Sequence, residues 1–95
     1  MTYTIIATAP TVYQLSSLKA FGMGANKHGN GSFSASQEFD SEDEAKQYLR
    51  KRAEMYNSND PYGTEERLAD MYRDIEYGVL TLDAATAHIE EKENE

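Results

Sequence analysis

Residues 22–31, GMGANKHGNG, place Lys27 and His28 among four of the chain's six glycines. Such a stretch could cradle a phosphate. That chemistry needs backbone N–H groups converging on a helix N-terminus, with a lysine followed by Ser or Thr at fixed spacing. Here His28 follows Lys27, and the residues beyond the glycines alternate like a strand. Gly22-Met23-Gly24 has no third glycine to complete a dinucleotide fingerprint. The run therefore reads as a turn, either the tip of a hairpin or a connection into the following strand. Asn30-Gly31 fits the hairpin form because both residues tolerate positive φ.

Other chemistry is equally unsupported. The chain has no cysteine, which excludes a disulfide framework and thiolate metal sites. His28 and His88 lie in unrelated segments, and NSNDPYGTEE puts Ser58 and Tyr62 where a calcium loop needs its first and fifth ligands. No serine sits in a nucleophile elbow, and no pair of carboxylates is set apart by its spacing. The expectation is a non-enzymatic protein without metal or cofactor.

Charge carries more information. The net charge is −8, from 17 acidic and nine basic residues. Residues 1–31 carry +2, residues 32–63 carry −3 and residues 64–95 carry −7. Direct nucleic-acid binding needs the opposite balance, whereas a basic protein surface is a complementary partner. Acidity also serves solubility alone. No apolar run reaches the roughly 20 residues of a membrane span. The first ten residues lack a basic leader, so the chain reads as a cytoplasmic protein.

The elements that would position these residues follow from periodicity. Tyr3–Thr8 is β-branched and stops before Pro10, which predicts a strand. Residues 12–21 fit two readings: a helix capped by Thr11, with Val12, Leu15 and Leu18 inward, or a strand entering the glycine run. Ser32–Phe39 alternates and predicts a second strand. Ser41 and Glu44 form a capping box for a helix to about Tyr56. Residues 57–63 break it, and Thr64 caps a second helix that Gly78 ends. Thr81 then caps a predicted third helix with Leu82, Ala85 and Ile89 inward. The expected fold is a single α+β domain over residues 1–95. It has a small antiparallel sheet of two or three strands and a helical C-terminal half of three helices, the N-terminal segment supplying a fourth in one reading. Residues 91–95 are expected to fray.

Two features then point to binding. Glu65, Glu66, Asp70, Asp74 and Glu76 crowd the second helix, with Asp83, Glu90 and Glu91 beyond it. Glu66, Asp70 and Asp74 form an i, i+4 row of like charge, which costs a few tenths of a kcal/mol per pair. Tyr56, Tyr62, Tyr72 and Tyr77 are read as a group around the inter-helix turn; Tyr72 reads as core and Tyr62, in Pro-Tyr-Gly, as an exposed contact. Lys46, Arg50, Lys51 and Arg52 read as internal charge balance, through Glu42–Lys46 and Arg50–Glu54 pairs.

The stretch NGSFSASQEFDSEDEAKQYLRKR runs from an Asn-Gly turn through an alternating strand into an acid-capped helix. It resembles small phage-encoded anti-CRISPR proteins, over about a quarter of the chain. The resemblance implies a protein acting in the host cytoplasm that binds a basic, nucleic-acid-handling complex and inhibits it, with nucleic-acid mimicry as one route. Partner-binding residues are then expected at Glu65, Glu66, Asp70, Asp74, Glu76 and Tyr62. The alternative is a self-associating, homodimeric module of a phage or mobile element.

Overall fold

A computed structural model describes residues 2–9, 18–29 and 31–92. In chain order these form β1 (Thr2–Ala9), β2 (Asn26–Lys27), β3 (Phe33–Phe39), α1 (Glu42–Asn59), α2 (Glu65–Glu76), β4 (Val79–Leu82) and β5 (Ala85–Lys92). The sheet is antiparallel, in the order β2-β3-β1-β5-β4. The first strand thus lies at the centre and the last strand beside it.

The alternation of β1 decides the two faces. Ile5, Ala7 and Ala9 point to the buried side, while Ile6 and Thr8 point away. Ala35, Ala7, Ala87 and Leu80 share one row across four strands. Three alanines in that row leave a shallow seat on the sheet. The helix α1 turns its own small residues, Ala45 and Ala53, with Leu49, to the core. Met71 and Ile75 of α2, together with Leu18 and Phe21, complete it. Both helices cover the same face, and the molecule is a slab 17 Å thick.

The opposite face is polar. Ser34, Thr8, Thr86 and Thr81 form one row, and Ser36, Ile6, His88 and Val79 the next. Most of these side chains are exposed.

Among the described residues, the expected sheet of two or three strands is therefore corrected to five, and the expected set of three or four helices to two, α1 and α2. The largest change is after Gly78. The predicted third helix is the β4–β5 hairpin, closed by a turn in which Asp83 takes φ 57. Positive φ is the requirement of such short turns, and Asp tolerates it. Pairing with β1 over Thr2–Thr8 gives these residues a full ladder of hydrogen bonds, and that overrides their local helical spacing. Glu91 and Lys92, expected to fray, pair with Tyr3 and Thr2; residues 93–95 lie outside the described residues. So does most of the segment 12–21, of which Leu18 and Lys19 are helical. The glycine run forms the β2–β3 hairpin, with His28 N donating to Ser32 O at 2.8 Å and Gly31 at φ 86. Asn30 lies outside the described residues.

Candidate interaction surface

The acidic residues of α2 are exposed, as their spacing implies, but they are not a bare row. Thr64 caps the helix by accepting from Arg67 N at 3.0 Å, and Glu65 and Glu66 follow in the first turn. Asp70 accepts from Arg73, one turn on, at 2.9 Å. Glu76 is bound by Arg50 of α1. Two of the five expected carboxylates are thus neutralised, and Glu65, Glu66 and Asp74 keep their charge open. The expected Arg50–Glu54 pair is replaced, because Glu54 instead accepts from the Tyr72 hydroxyl. That acceptor raises the Tyr72 phenol pKa, helped by burial. Glu42–Lys46 forms as expected, at 3.2 Å.

Tyr62 is 84% exposed, at the α1–α2 junction. Tyr77, 82% exposed, lies at the opposite end of α2. The four tyrosines are consequently not one group.

The fold assembles a second acidic surface that the sequence reading did not isolate. The end of β3, the first turn of α1 and the end of β5 meet at one pole of the slab. Thr4 of β1 pairs with Glu38 on one side and Glu90 on the other. Directly opposed residues share a face, so these two carboxylates flank one threonine, with Cα atoms about 10 Å apart. Thr4 itself is 3% exposed, and its hydroxyl oxygen has no partner. On the other face Tyr3 pairs with Glu91. Glu42, Glu91, Tyr3, Tyr77, Gly78 and Ile89 line a shallow cavity of about 190 Å³. Glu42, Asp43 and Glu44 occupy the first turn of α1, where Ser41 accepts from Glu44 N at 3.2 Å. Carboxylates there complement the helix dipole.

Tyr3 lies among these acids. Its phenol pKa is raised, first by the charge of Glu91, then by burial, then by Glu42. No base among the described residues lines that cavity, although Lys46 pairs with Glu42 one turn along α1. The surface can attract a cationic group or a basic protein face. Among the described residues, no three His, Cys, Asp or Glu side chains are grouped to hold a metal ion. Lys27 is exposed, and His28 reaches Ser34 Oγ at 2.5 Å rather than an acid or a nucleophile in a pocket. His88, expected on a helix, is on the outer sheet face, 3.0 Å from Glu90.

A signal for the pole existed in the sequence. SEDE at residues 41–44 and EE at residues 90–91 are both dense in acid, yet only the β1–β5 pairing brings them together. Compared with known proteins, the chain matches no family model, no curated protein and no solved structure. No described helix is long and apolar enough to cross a membrane.

Proposed function

We propose that this is a non-catalytic binding module whose acidic pole docks on the basic, nucleic-acid-handling surface of another protein complex and blocks it. The observation that supports this reading is the convergence at one end of exposed acids from β3, α1 and β5, in a chain of net charge −8. Such a surface offers carboxylates where nucleic acid offers phosphates, and a groove rich in Lys and Arg attracts both. The action is the one implied by the anti-CRISPR resemblance, in the host cytoplasm. Glu65, Glu66 and Asp74 of α2 extend the acidic surface, and Tyr62 is a contact at its far end.

The test is capture from a lysate of the host cells with tagged protein, elution by stepwise salt, and identification by mass spectrometry. A nucleic-acid-binding complex released at moderate salt is expected. Glu42→Lys with Glu91→Lys should abolish its capture, and Glu66→Lys with Asp74→Lys should weaken it less. Circular dichroism checks that each variant is folded. Capture that survives both high salt and the pole variants would overturn the reading.

A further inference from the structure

We infer that a groove between α1 and the Leu18–Lys19 turn binds the phosphate monoester of a small ligand. The starting point is Arg52. Arg50, Arg67 and Arg73 each hold a carboxylate, Glu76, Asp60 and Asp70 respectively. Arg52 holds none among the described residues, although acids outnumber bases nearly two to one in the chain. Its Nε is buried without a partner. That nitrogen is covered, so it reports the packing of the side chain, and a ligand has to be met by the rest of the guanidinium.

The side chain is packed on two sides. Its guanidinium carbon lies 5.2 Å from the centroid of the Tyr48 ring. The Tyr48 hydroxyl donates to Phe21 O, which anchors the ring to the turn preceding Gly22. Gly22, at φ 71, lies against the guanidinium so closely that a Cβ there would overlap it. The first glycine of the run thus makes room for a cation. An arginine packed between a ring and a glycine has less rotamer entropy to lose on capturing a ligand.

Arg52 borders a groove of about 240 Å³ whose other described walls are Lys19, Ala20, Met55, Tyr56 and Asn59. Among the described residues Lys19 also has no carboxylate partner, and no acid lines the groove. Two cations around one groove, one a planar fork and one a point charge, match a phosphate dianion better than a single carboxylate. Met55, 46% exposed, and the Tyr56 ring offer apolar surface for the rest of the ligand. Arg52 is ten residues beyond Glu42, about 15 Å along α1. The groove is therefore separate from the acidic pole, and either proposal can fail without the other.

The experiment is an NMR titration that follows the Arg52 Nε–Hε signal and the Lys19 and Ala20 amides. Inorganic phosphate, AMP, adenosine and acetate are added at constant ionic strength. Saturable shifts are expected with phosphate and AMP, AMP binding at about 1 mM or tighter, and none with adenosine or acetate. Arg52→Lys keeps the charge but loses the fork, and should weaken AMP about tenfold or more. Lys19→Ala should weaken it too, and tests the site independently of the Tyr48 clamp. Shifts that never saturate, equal responses to acetate and phosphate, or unchanged affinity in both variants would overturn the inference.

Discussion

Single residues set the tolerances of this fold, and Gly63 is the tightest. Its N–H donates to Asp60 O at 2.9 Å, folding the α1–α2 junction back on the end of α1. A Cβ at Gly63 would overlap the carbonyl oxygen of Asn57, a backbone atom that cannot rotate away. Gly24 lies in open space by the same measure. Gly63→Ala should therefore cost about 1–3 kcal/mol, as overpacking does. Gly24→Ala should change stability by no more than about 0.5 kcal/mol. Urea midpoints of the two variants decide it; equal midpoints would mean that the junction is looser than described.

The junction between the helices is also where an element-scale prediction belongs. Asp60 Oδ1 accepts from Tyr62 N at 2.8 Å, and its other oxygen takes Arg67, whose guanidinium lies 5.3 Å from the Tyr56 ring centroid. The Arg67 hydrogen bond and the Tyr62 N–H lower the Asp60 pKa. A folded pKa below the unfolded value of about 3.9 fixes the sign. The stabilisation is complete above that value and fades as pH falls through the folded pKa. Asp60→Asn should be less stable than the parent near neutral pH and converge with it at low pH, read from urea midpoints across the acid range. A constant gap would show that the charge is not involved. The same elements show how far sequence alone reaches. Both long helices are legible because Ser41, Glu44 and Thr64 cap them and residues 57–63 interrupt them. The β4–β5 hairpin is not, because Leu82, Ala85 and Ile89 fit a helical stripe as well as a strand face, and alanine has little strand preference. Only pairing with β1 separates the two. Likewise Glu65 and Glu66 are legible as exposed acids, whereas the Arg50–Glu76 bond and the acidic pole join residues distant in sequence.

At the scale of the whole molecule, the acids gathered at one pole repel one another in the folded state more than in an open chain. Raising salt from about 10 mM to 150 mM shortens the screening length from about 30 Å to 8 Å. The thermal midpoint should rise over that range, and rise less in a Glu42→Gln, Glu91→Gln variant. A midpoint that falls or stays flat would show that attractive pairs such as Arg50–Glu76 dominate. The strand order has a further consequence, during synthesis. β1 is translated before the other four strands, yet its two neighbours in the sheet are β3 and β5. As the chain leaves the ribosome, β1 can pair with β3 while its other edge stays bare until β5 emerges. A nascent chain stalled between α2 and β5 thus presents an open strand edge to chaperones, and release of the last strand is the event that closes the sheet.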